Sequence, residues 1–85
     1  MMERQALPVA AIRVPVKRVR TLDHAKVEAI AEDWMERGQQ TPIRCRVDPK
    51  ETGRFILVEG YHRLEAARAL GEETILGYLV NARLH

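Results

Sequence analysis

The spacing of apolar positions changes along the chain, and each change marks an element. Val27, Ile30, Ala31 and Trp34 recur at i, i+3, i+4 and i+7, the stripe of one helix face. Asp23 suits the N-cap, Leu22 can staple onto Val27, and Gly38 is a stop. These signals predict a helix over residues 23–37 with its stripe in the core. Ile43-Arg44-Cys45-Arg46-Val47 alternates with period two, a half-buried strand with Ile43, Cys45 and Val47 inward. Phe55 to Val58 is an unbroken apolar run, too short for a helix and suited to a covered strand. Leu64, Ala66, Ala67, Ala69 and Leu70 predict a second helix over residues 61–70, ended by Gly71.

The intervening stretches complete the order. Residues 1–8 read as a loose lead-in, and Ala10 to Val14 as a first strand closed by Pro15. Gln39 to Pro42 is a connector, and Asp48 to Gly53 a hairpin loop. Ile75 to Val80 is a last strand, where Gly77 marks a bulge or a close contact. The sequence β-α-β-β-α-β predicts an α+β fold, a small mixed sheet with both helices covering one face. A single domain over residues 1–85, with a core of about residues 10–82, is expected.

One local conflict points to chemistry. Gly60 feeds the second helix, and His62 and Arg63 fall in its first turn. Unpaired N–H groups already make that turn positive, so a cation there costs about 0.3–1 kcal/mol. Two resolutions stay open. A phosphate can sit at the glycine turn with Arg63 gripping it. Alternatively, Glu59 and Glu65 neutralise the pair and Gly60 is only a tight corner. Lys17, Arg18 and Arg20 form a second cationic feature, a loop without an acid that reads as a solvated face. Trp34 reads as packing rather than a stacking platform.

Composition narrows the class without choosing among these. A chain of 85 residues is one domain that buries about 60–65% of its surface on folding. At 46% hydrophobic and 31% charged residues it is an ordinary globule, and a net charge of +2 does not by itself imply nucleic acid. Cys45 is the only cysteine, which excludes an intrachain disulfide and a cysteine-based zinc site. No paired carboxylates stand out as a metal centre. Leu7 to Ile12 is too short for a signal peptide, and no run is long enough to span a membrane. A cytoplasmic, bacterial-type domain is expected.

The residues also carry a family resemblance. Leu22-Asp23-His24-Ala25-Lys26-Val27, Thr41-Pro42-Ile43-Arg44-Cys45-Arg46, Val58-Glu59-Gly60-Tyr61-His62-Arg63-Leu64-Glu65-Ala66-Ala67, and Gly71 to Val80 occur in this order. Together they resemble the domain shared by ParB partition proteins and sulfiredoxins, over residues 10–82. The third piece is similar to the Gly-Cys-His-Arg box of sulfiredoxins and the Gly-Glu-Arg-Arg box of ParB. The resemblance implies a nucleoside triphosphate, ATP or CTP, with Mg2+ as an accompanying ion. It implies that Gly60, Tyr61, His62 and Arg63 surround phosphate and that Lys26 helps to hold the nucleotide.

Departures from the pattern limit what can be carried over. Tyr61 stands where sulfiredoxins have the catalytic cysteine, and a phenol cannot replace a thiolate in sulfinic-acid repair. Tyr61 also replaces the ParB box glutamate, which removes support for CTP hydrolysis. Ala29 and Asp33 fall where sulfiredoxins offer hydroxyl groups, and Asp33 would repel phosphates unless a divalent cation bridged them. The helix-turn-helix and dimerisation segments of ParB do not follow. Two readings result. One is a nucleotide- or phosphate-binding domain, including weak NTPase or ParB-like nuclease variants. The other is a module without catalysis that docks a protein or the DNA backbone through Lys17, Arg18, Arg20, Arg44 and Arg46.

Overall fold

Five strands and two helices form over residues 3–80, the residues that this computed structural model describes. The strands are β1 (Gln5–Pro8), β2 (Ile12–Arg13), β3 (Ile43–Val47), β4 (Phe55–Glu59) and β5 (Thr74–Leu79). The helices are α1 (His24–Arg37) and α2 (Tyr61–Ala69). The sheet order is β1-β5-β3-β4-β2, with β5–β3 and β4–β2 parallel and the other pairs antiparallel. This is the expected α+β fold with a mixed sheet.

The central strand follows from its alternation. Ile43 and Cys45 are wholly buried, while Arg44 between them is exposed. With Leu7, Leu57 and Ile75 they join Leu64 and Ala67 of α2 in one buried cluster. Leu64, Ala66 and Ala67 are all fully buried in α2. The small side chains of Ala66 and Ala67 let that helix lie close over β3 and β5. Gly77 of β5 is the close contact the sequence foreshadowed. A Cβ there would lie 2.7 Å from Leu7 Cδ1 and 3.0 Å from Ile43 Cγ1.

Five expectations need correction. Val47 does not lie inward with Ile43 and Cys45 but is 53% exposed, because it ends β3 past the last residue paired with β5. Residues 1–8 are not a loose lead-in, because Gln5–Pro8 pairs antiparallel with β5 and Leu7 is only 2% exposed. The strand expected over Ala10 to Val14 shrinks to Ile12–Arg13, and Val9–Ala11 is a 3₁₀ turn. A pair of alanines has little preference for a pleated, half-buried surface. The order is therefore β-β-α-β-β-α-β. The stretch Val16–Thr21 is not an open loop but a six-residue 3₁₀ turn. Lastly, the α1 stripe is not core. Val27, Ile30, Ala31 and Trp34 are half-buried, α1 has no buried residue, and it packs on α2 as an outer layer. A stripe of about 100°, flanked by Glu28 and Asp33, leans on the neighbouring layer without being enclosed, and only the large Trp34 side chain reaches the edge of the buried cluster. Of the expected core span 10–82, residues 81 and 82 lie outside the described residues.

Candidate functional site

The starts of the two helices meet. At α1, Asp23 caps as expected, its Oδ1 accepting from the backbone N–H of Ala25 at 3.0 Å and of Lys26 at 3.4 Å. At α2 the N-cap is Gly60, with φ 109° and ψ 33°, and no side chain caps the first turn. Only glycine fits there for a second reason as well. A Cβ would lie 2.6 Å from Ile43 Cγ2. His62 joins the two starts, its Nε2 accepting a hydrogen bond from the Asp23 N–H at 3.0 Å. That bond leaves the proton of a neutral His62 on Nδ1.

Two adjoining hollows open beside this junction. One, of about 260 Å3, is lined by Arg18, Thr21, Lys26, Ile30, Glu59, Gly60, Tyr61, His62 and Arg63. The other, of about 250 Å3, is lined by Lys26, Ala29, Ile30, Asp33, Trp34, Arg63 and the Gly38–Thr41 segment. Lys26, Ile30 and Arg63 belong to both, so the hollows form one cleft with a polar end and an end walled by Ala29, Ile30 and Trp34.

The charges in this cleft bear on the alternatives left open by the sequence. Glu59 pairs with Arg44 at 3.7 Å, and Glu65 pairs with Arg68 at 2.6 Å. The two acids that could have neutralised Arg63 are thus engaged elsewhere. Among the described residues, neither Arg63 nor Lys26 forms an ion pair through its side chain. Arg18 reaches over the polar end and donates to the Val58 carbonyl at 2.5 Å. Asp33 lines the other hollow and pairs with Arg37 at 3.4 Å, so its charge is partly met by its own helix.

The structure brings Gly60, Tyr61, His62, Arg63 and Lys26 together at one place. It separates the five residues of the expected basic surface. Arg18 turns into the cleft, and Lys17 and Arg20 line a different groove with Arg13. Arg44 faces Glu59, and Arg46 stands opposite Ile56 in the β3–β4 ladder. Cys45 is buried in β3, where loss of solvation pushes its thiol up to about 11. Sequence reasoning missed Thr21, Trp34 and Gln39 as cleft walls. The Gln39 amide donates to the carbonyls of Thr41 at 3.0 Å and Leu76 at 2.9 Å, and its Oε1 accepts from the Leu76 N–H at 2.8 Å. That clamp fixes the connector as a wall, through a partner 37 residues away that no local pattern signals.

Known proteins share this architecture. Sulfiredoxin from Arabidopsis thaliana superposes with a TM-score of 0.79 at 30% identity, covering 94% of this chain and 86% of that one. C-terminally truncated ParB from Caulobacter crescentus, complexed with CTP-γ-S, gives 0.83 at 22% identity, covering 96% of this chain and 46% of that one. A free serine kinase in complex with AMP gives 0.81 at 16% identity, covering 98% and 33%. The chain therefore spans less than half the length of the ParB and kinase chains it resembles. No curated protein matches it by sequence. Residues 1–84 match the ParB N-terminal domain, and the chain belongs to that family within the ParB/sulfiredoxin-like superfamily.

Proposed function

We propose that the chain binds a nucleoside triphosphate along the cleft, with phosphates at the start of α2 and the nucleoside between α1 and the Gln39–Thr41 segment. The observation that carries this reading is the pair of cations, Lys26 and Arg63, shared by both hollows without ion-pair partners among the described residues. They sit beside a helix start whose first turn no side chain caps, the arrangement that favours a phosphate. The CTP-γ-S and AMP held by relatives of the same fold support it.

Each residue then has a role. The N–H groups of the first α2 turn and the Arg63 fork take phosphate oxygens, and Lys26 adds a point charge. His62 holds the two helix starts together and offers Nδ1–H. Tyr61, 8% exposed, walls the polar end where a reactive thiol would stand in a sulfiredoxin. Magnesium would arrive on the phosphates, since the polar hollow supplies one carboxylate, Glu59, and that faces Arg44. At the nucleoside end, Asp33 and the side-chain oxygens of Gln40 and Thr41 offer acceptors. Acceptors suit a base that presents an exocyclic amine, as adenine and cytosine do.

Thermal melts in phosphate-free buffer, with ATP, CTP, GTP, UTP and inorganic phosphate in turn, test the reading. ATP or CTP should raise the melting temperature more than UTP. Arg63→Ala should weaken nucleotide binding by about 1.5–3 kcal/mol, on the order of ten- to a hundredfold. Without ligand the same substitution removes a cation from a positive helix end, so stability should stay level or rise slightly. A variant that melts several degrees lower when empty, and binds nucleotide as well as the parent, sinks the proposal.

A further inference from the structure

The 3₁₀ turn Val16–Thr21 is a three-edged element. With three residues per turn, side chains at i and i+3 stack on one another. The stacked pairs are Arg18 with Thr21, Lys17 with Arg20, and Val16 with Val19. The first edge faces the cleft. The second joins Arg13, Pro15 and Val16 around a separate open groove of about 580 Å3. The third lies in solvent, with Val16 84% and Val19 53% exposed.

That groove has a definite chemistry. Its three cations, Arg13, Lys17 and Arg20, form no ion pair among the described residues, and no acid lines it. Large exposed apolar side chains among the described residues are Val16, Val19, Met35 and Val47; Val16 lines this groove, and Val19 follows it one turn on along the same edge. Cations beside exposed valines complement a ligand that carries acids and an apolar group together.

We propose that the Arg13–Lys17–Arg20 groove docks an extended acidic segment of a partner protein, whose carboxylates meet the three cations while one apolar side chain covers Val16 and Val19. Nucleic acid fits the surface less well. No aromatic lines the groove to stack an unpaired base, and the short 3₁₀ turn is neither an α-helix nor a β-ribbon that could enter a duplex. A phosphate backbone would also leave the valines in water. The groove shares no lining residue with the nucleotide cleft, so the two sites can be altered separately.

The test uses the full chain and an array of labelled Glu- and Asp-rich peptides. Each peptide carries a single Leu at a different position, and a matched array carries Ser instead. The best Leu peptides should bind about tenfold or more tightly than their Ser partners, the effect of burying one leucine. Lys17→Glu/Arg20→Glu should lose peptide binding while keeping the melting shift caused by ATP or CTP. Val16→Ser should weaken the Leu peptides and leave the Ser peptides unchanged. Equal binding of the two arrays, or binding of neither, overturns the proposal. So does a duplex DNA that binds more tightly than any peptide and is lost in the same double variant. Self-association of the parent abolished by that variant would assign the groove to a second copy of the chain and likewise overturn it.

Discussion

At the scale of single residues, Gly60 and Gly77 do different work against the same side chain. Both lie against Ile43, but Gly60 also needs φ 109°, whereas Gly77 needs only room. Gly77→Ala should therefore cost about 1–3 kcal/mol, the usual effect of overpacking a core. Gly60→Ala should cost more, because strain of about 1–3 kcal/mol for the left-handed backbone adds to the clash. Urea titrations of both variants measure the difference. A Gly60 variant no less stable than the Gly77 variant would refute this account of the turn. Cys45 makes a pH prediction. Its thiol ionises near 9.0 in the unfolded chain and at about 11 in the fold. Between these values the unfolded chain has released a proton that the native protein still holds, so stability falls as pH rises. The loss should approach about 2–3 kcal/mol by pH 11, and Cys45→Ala should not show it. Matched urea titrations at about pH 8, 9.5 and 11 check this, and a parallel fall in both proteins would disprove it. Arg63 stood out in the sequence through the charge conflict within one helix turn and the box resemblance, and Lys26 through the resemblance of the first-helix segment; both line the cleft. Gln39 did not stand out, since its worth depends on Leu76.

At the scale of elements, the strongest local patterns became the most central elements. The alternation in Ile43–Val47 and the apolar run in Phe55–Glu59 each fit within five residues, and both strands formed where expected, with only Val47 at the end of β3 turned out of the core. Strand β1 was illegible because Gln-Ala-Leu-Pro carries a single buried residue, and its partner β5 lies at the far end of the chain. In Val16–Thr21 the two valines recur only once at a spacing of three, too short a pattern to signal an element, yet the stretch forms a regular 3₁₀ turn. The connector Gln39 to Pro42 presents the same lesson in reverse. It looks like a link, but its first side chain supplies to Leu76 the two hydrogen bonds that β3, starting at Ile43, does not reach back to make. Gln39→Ala leaves the half-buried N–H and carbonyl of Leu76 without that partner. The expected loss is about 1–3 kcal/mol in stability. The nucleoside end of the cleft should loosen too, with weaker ATP or CTP binding and unchanged binding of inorganic phosphate. If phosphate weakens equally, Gln39 acts on the whole fold rather than on that wall.

At the scale of the molecule, the layers are unequally held. Helix α2 is locked to the sheet by fully buried side chains, while α1 has none and rests on α2. The cleft lies along that weaker seam, with Lys26, Ile30 and Trp34 on one side and Arg63 on the other. A ligand that spans it is a bridge between layers. Without ligand, amide protons of α1 should exchange faster than those of α2, because few buried contacts hold the outer layer. Nucleotide should close that gap, and inorganic phosphate should close it less, since it reaches only the polar end. The Val16–Thr21 turn should gain protection with α1, because Arg18 and Thr21 line the same hollow. Mass action sets the size of the effect. At a ligand concentration of about a hundred times Kd, binding adds about 2.7 kcal/mol. For a domain of this length each kcal/mol moves the melting temperature by about 4–8 °C, so a shift of roughly 10–20 °C is expected. Hydrogen exchange read peptide by peptide separates this from stabilisation of the sheet alone. If nucleotide slows exchange in β3 and β5 and leaves α1 unchanged, the ligand does not lie across the seam.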